Sequence, residues 1–172
     1  MSFLQTLDRW MMKIEEAILS YAIIIIAIMV VGNVLNRVIF GSSWAFSAEI
    51  SKFSVILATF MGIGYAARKG RHINMSAFFD MAPYKLRKAL AVFIPFVTAI
   101  ILFILTYFAY VYLVSVYESG RVTSALQVPE YLMISFVPIG LLLGGLQFIR
   151  NAWINVKEKD VYLATEQKDY SA

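Results

Sequence analysis

Apolar and polar positions do not alternate along this chain; the apolar ones gather in four uncharged blocks set apart by short charged stretches. The blocks cover residues 17–36, 53–67, 89–117 and 131–149, which is 20, 15, 29 and 19 residues. A helix rising 1.5 Å per residue needs about 20 residues to cross a hydrocarbon core of ~30 Å. Three blocks meet that length. The second meets it when extended back through Lys52 to Ile50, because a lysine at a helix end carries its ammonium to the headgroups while its stem stays in apolar surroundings. The pattern predicts an all-α integral membrane protein with four transmembrane helices, at about 17–38, 50–68, 89–117 and 131–150. They form one domain over residues 1–160, followed by a flexible tail over 161–172.

Two stretches outside the blocks are amphipathic. Phe3, Leu7, Trp10, Met11 and Ile14 recur at helical spacing among Asp8, Arg9 and Lys13, which suits a short interfacial helix before the first span, or a plain extension of that span. Phe78, Phe79 and Met81 precede Pro83 and are followed by Lys85, Arg87 and Lys88, a pattern that predicts a second interfacial helix.

Charge gives the orientation. Arg9, Lys13, Arg68, Lys69, Arg71, Lys85, Arg87, Lys88, Arg150, Lys157, Lys159 and Lys168 share one side of a four-span protein, and only Arg37, Lys52 and Arg121 lie on the other. Positive residues are retained in the cytoplasm. Both termini are therefore predicted to be cytoplasmic, in a multi-pass membrane protein. The net charge of +4 then belongs to a surface facing anionic lipid headgroups, and no nucleic-acid partner is predicted.

Composition agrees with a membrane protein: 60% of residues are hydrophobic, 15% are charged and the mean hydropathy is +0.73, against roughly 25% charged residues in soluble domains. The first block is expected to remain in the mature chain. Glu15 and Glu16 precede it, and it continues through Val31-Gly32-Asn33 with no small-x-small cleavage site. With no cysteine and one histidine, His72, thiol redox chemistry, thiolate metal sites and bis-histidine haem ligation are excluded.

Within the spans the informative feature is the lack of any Asp, Glu, Lys, Arg or His near a midpoint. Such groups are costly in a bilayer and mark ion or proton pathways when present. The milder polar residues are Asn33, Asn36, Ser54, Thr59, Thr98, Thr106 and Gln147, which are expected to bond between helices. Small residues mark faces for close helix packing: Ala58, Gly62 and Ala66 in the second span, and Gly140 and Gly144, a GxxxG pair with Gly145 adjacent, in the fourth. The third span exceeds what a ~30 Å core requires, so it tilts or protrudes. It carries Pro95 and an aromatic stripe of Phe103, Tyr107, Tyr110, Val114 and Tyr117 on one face, which suits packing or a protein partner. No residue set fits a catalytic, cofactor-binding or metal role, and the chain is not expected to be an enzyme. Two readings stay open: a membrane scaffold or accessory subunit, and an autonomous homo-oligomeric four-helix carrier or channel.

Several segments resemble the small membrane subunit (Q, or DctQ-like) of the tripartite ATP-independent periplasmic, or TRAP, transporters. Asn36-Arg37-Val38-Ile39-Phe40-Gly41 is similar to that family's Arg-x-x-Phe exit from the first helix. Phe46-Ser47-Ala48-Glu49 resembles its Trp-x-Glu-Glu entry to the second, with Phe46 for the tryptophan and Ala48 for the first glutamate. The run from Gly62 through Arg68, Arg71 and His72 to Ile73 resembles its glycine-containing helix followed by Arg-x-x-x-His-Ile. Leu126-Gln127-Val128-Pro129 and Pro138-Ile139-Gly140 are similar to its paired prolines.

The resemblance implies a sodium-coupled transporter. A large elevator-type membrane subunit holds the solute and sodium sites, a periplasmic substrate-binding protein delivers an acidic solute such as sialic acid or a C4-dicarboxylate, and this chain stabilises the large subunit without a cofactor of its own. On that footing Arg68, Arg71 and His72 are expected at cytoplasmic headgroups or on a partner's carboxylate. Arg37 and Glu49 are expected to pair across the periplasmic loop or to face the binding protein.

Overall fold

The computed structural model describes residues 3–69, 83–157, 162–164 and 167–168, without the side chains of residues 3–9, 11 and 69 or of the last two segments. Helix α1 runs Phe3–Phe40, α2 Ala45–Lys69 and α3 Tyr84–Glu118; a short α4, Glu130–Ile134, leads into α5, Phe136–Lys157. The segments of membrane-spanning length and hydropathy are Met12–Phe40, Ala45–Arg68, Tyr84–Glu118 and Glu130–Lys157. Each exceeds its uncharged block, because a helix continues into polar surroundings until a residue unsuited to it intervenes.

Those residues are visible at the ends. Gly41 adopts φ +67° after α1 and its amide donates to the Arg37 carbonyl at 3.1 Å; Gly120, at φ +60°, follows α3. This left-handed conformation is cheap only without a Cβ. Pro83 and Pro129 precede α3 and α4. Pro138 lies in the first turn of α5, where it has no N–H to offer the carbonyl four residues back. The fourth span is accordingly interrupted at Ser135, whose amide bonds the Tyr131 carbonyl at 2.9 Å. Pro95, by contrast, is accommodated inside an otherwise continuous α3.

The amphipathic stretch at residues 3–14 is not a separate interfacial helix but the first turns of an unbroken α1, since no glycine or proline stands between it and the span. The second amphipathic stretch, around Phe78 to Met81, lies outside the described residues. In the tail, Tyr162–Ala164 pairs antiparallel with Gln167–Lys168 as strands β1 and β2.

The four long helices stand in an open row rather than a closed bundle. α1 packs on α2, α2 on α5, and α5 on α3, which leaves α1 and α3 at opposite edges. Burial follows that order: 6% of the apolar window of α1 is buried, against 44% of that in Glu130–Lys157. A cluster of buried apolar residues, Ala67, Ala99, Leu102, Leu141 and Phe148, joins α2, α3 and α5. Glycines make it possible. A Cβ at Gly140 would collide with the Phe60 carbonyl on α2, and one at Gly144 would stand 2.5 Å from Ile63 Cγ2. In lipid, where burying an apolar side chain gains little, such close approach is a main source of helix association.

Candidate functional site

The side chains that bond between helices or onto loop backbone lie toward the two ends of the row, and the ends are built differently. At the end that holds the start of α1 and the close of α2, Arg68 is fully buried and Glu15 is 3% exposed. Arg68 Nη2 donates to Glu15 Oε1 at 3.3 Å. With the Gln147 amide turned so that its oxygen faces the guanidinium, that oxygen accepts from Arg68 Nε and Nη2, both at 3.1 Å. One arginine thus joins α1, α2 and α5. Further along α5, Asn155 Nδ2 donates to the Asn151 carbonyl and to its Oδ1, each at 3.1 Å, and both residues are buried. Gln147, Asn151 and Asn155 are spaced by four, so they form an inward polar stripe. Arg87, on α3, is also buried.

Gly64 provides the room for this arrangement: a Cβ there would stand 3.0 Å from Glu15 Oε1. A charged pair in a low-dielectric setting is stabilised only when its remaining polar atoms also find partners. The Gln147 amide provides one of these.

At the other end, polar side chains bind loop backbone. The Glu49 carboxylate accepts from the amides of Ala125 and Leu126 at 2.7 and 2.9 Å. Those residues belong to a compact loop in which Val122 bridges Pro129, Thr123 N donates to the Val128 carbonyl at 2.9 Å, and Gln127 takes φ +55°. Asn33 Oδ1 accepts from the Trp44 amide at 2.7 Å, and Asn36 Nδ2 donates to the Ser42 carbonyl at 2.6 Å. The Trp44 ring covers Gly32, where a Cβ would meet Cζ3 at 2.9 Å. The α1–α2 turn is therefore fastened from within α1.

Several sequence expectations are corrected by this geometry. Arg68 faces Glu15 of its own chain and not headgroups or a partner. No ion pair joins Arg37 to Glu49 among the described residues; Glu49 is engaged by two amides instead, and Arg37 is exposed. Arg71 and His72 lie outside the described residues. Gly62 meets Leu19 of α1, where a Cβ would stand 3.2 Å from Cδ2, while Gly140 and Gly144 pack α5 on α2 as described and Ala58 is half-buried.

Thr98 and Thr106 do not bond between helices. Their hydroxyls donate to the carbonyls of Ile94 and Leu102 in their own helix, at 2.9 and 2.7 Å, the ordinary outcome for a hydroxyl one turn along from a carbonyl. Of the aromatic stripe, Phe103 lies against Gly145, with ring carbons 3.2 Å from where a Cβ would stand. Tyr107 and Tyr110 line a groove of about 470 Å³ with Pro138, Ile139 and Leu142, and Tyr117 meets Tyr131 edge to face at 5.2 Å.

Glu15, Asn151 and Asn155 were not singled out by sequence reasoning. Glu15 reads as an ordinary flank of an apolar block. The period-four spacing of Gln147, Asn151 and Asn155 was the available signal.

Comparison with known proteins yields three matches. A family model described as tripartite ATP-independent periplasmic transporters, DctQ component, matches residues 26–158. The chain is 39% identical, over 166 residues, to the ectoine TRAP transporter small permease protein TeaB of Halomonas elongata, covering 96% of this chain and 86% of that one. It is 24% identical over 156 residues to the sialic acid TRAP transporter permease protein SiaT of Haemophilus influenzae, covering 90% of this chain and 25% of that longer protein.

Proposed function

This chain belongs to the DctQ component family of the tripartite ATP-independent periplasmic transporters, and we propose that, as their small membrane subunit, it acts as a fixed scaffold for the large membrane subunit. The observation that carries this reading is the open row of helices. Its edge helices α1 and α3 present long apolar sides, while the buried charges Glu15 and Arg68 are turned inward onto each other. Such a body offers surface to a membrane partner and holds no charged group near mid-span through which an ion or solute would pass.

Both termini lie in the cytoplasm in this proposal, supported by the bias of Lys and Arg toward that side. The end with Glu49 and the Ala125–Leu126 amides then faces the periplasm, where a substrate-binding protein would dock. Relatives named for ectoine and for sialic acid both align with nine tenths or more of this chain. Solute choice and sodium coupling are accordingly assigned to the other components, and the expected solutes widen beyond sialic acid and C4-dicarboxylates.

The test is a tagged pull-down from native membranes in mild detergent, with identification of stoichiometric partners. A large polytopic subunit recovered one to one is the expected result. A chain recovered alone that moves solute in liposomes would overturn the scaffold and establish the autonomous carrier.

A further inference from the structure

The contact between α1 and α2 leaves an apolar groove along part of its length. The groove, of about 390 Å³, runs between Ile14, Ile18, Tyr21 and Ile25 on one side and Phe53 and Leu57 on the other. α1 has its main contacts with α2 alone. Helices in lipid associate through close packing and polar bonds, so a gapped interface leaves an edge helix free to swing unless its ends are held. The turn end is held by Trp44, Asn33 and Asn36. The far end has Leu19 against Gly62 and the buried group Glu15, Arg68 and Gln147.

We propose that Glu15, Arg68 and Gln147 form a polar clamp that holds the far end of the α1–α2 hairpin closed and thereby sets the direction in which α1 leaves the membrane. Arg68 is the hub, Glu15 the tie on the moving helix, and Gln147 the anchor on α5. Gly64 is part of the device because its missing Cβ admits the carboxylate. α1 extends twelve residues before Glu15, roughly 18 Å of helix, so a small change of angle at the clamp is amplified at its tip. The clamp is a positioning element and touches no solute. Its effect on uptake rests on the scaffold reading; its effect on the hairpin does not.

The chain has no cysteine, which makes engineered pairs clean reporters. In the assembled complex in native membranes, Leu19→Cys with Gly62→Cys reports the clamp end and Gly32→Cys with Trp44→Cys the turn end, each bridged by a short bismaleimide. Each is read against the same cysteine pair with Glu15, Arg68 and Gly64 unchanged, because the cysteines replace contacts that help hold each end. Glu15→Lys or Arg68→Glu alone is expected to slow bridging at the clamp end about tenfold and leave the turn end unchanged; Gly64→Ala is expected to act in the same direction. The double variant Glu15→Lys/Arg68→Glu restores the opposite charges and is expected to recover bridging and uptake together.

Bridging at the clamp end that is unchanged in the single variants, or a double variant no better than either, would overturn the clamp. If a single variant does not accumulate, recovery of the double variant to parental levels supports the clamp, and failure to recover overturns it. Loss of the large subunit from an otherwise normally bridging parent chain would instead count against the scaffold reading alone.

Discussion

The two ends of the row solve one problem, closing a set of membrane helices with polar groups, by opposite means. At the clamp end a charged pair and an amide are buried between helices. At the turn end a carboxylate and two asparagines hold exposed loop backbone. Side chains bonded to a loop beside water lose little when the bond breaks, because water replaces the partner. Side chains bonded to each other inside the row have no such replacement. In the clamp proposal, long-range geometry rests with the clamp end and local shape with the turn end.

Arg68→Ala should produce the largest effect, since it removes the guanidinium that meets the buried Glu15 carboxylate. Breaking a buried pair from one side costs about 3–5 kcal/mol, and the change should appear as a lowered Tm in detergent and reduced accumulation in the membrane. A Tm equal to that of the parent would erase the difference between the ends.

Gly140→Val tests the packing between them. Its Cβ meets Phe60 backbone, so α2 and α5 must separate, at a cost of about 1–3 kcal/mol or more. Co-purification of the large subunit should fall with it. Retained assembly would mean that the row tolerates separation of α2 from α5.

Glu49→Gln, at the turn end, should do less to the fold and more to the loop. Loss of the charged acceptor for the Ala125 and Leu126 amides should hasten cleavage by trypsin after Arg121 while leaving Tm nearly unchanged. A large fall in Tm would show that the turn end holds the fold as strongly as the clamp does.

Thr106→Val serves as the control. Its hydroxyl bonds only its own helix, and the change should stay within about 0.5 kcal/mol, read by the same thermal melt.

The four spans were legible in the apolar blocks, and in the structure Gly140 and Gly144 stand against Phe60 and Ile63 of α2. The polar contacts were less legible. Glu15 lies 53 positions from Arg68, and its sequence neighbours say only that an apolar block begins there. Arg68 in turn sits in a basic stretch at a helix end, where an exposed, headgroup-seeking arginine is the ordinary expectation. Glu49 reads as an acidic residue near a cationic neighbour, yet the nearby amides of a distant loop provided better-placed partners.

The sequence by itself determined the membrane as solvent and the number of spans, because these depend on local length and hydropathy. Only the tertiary structure decided that the helices form an open row and that Arg68 faces inward to Glu15 and Gln147. Which faces meet depends on contacts between distant residues, and in a bilayer every outward apolar face is equally content, so hydropathy cannot choose among them.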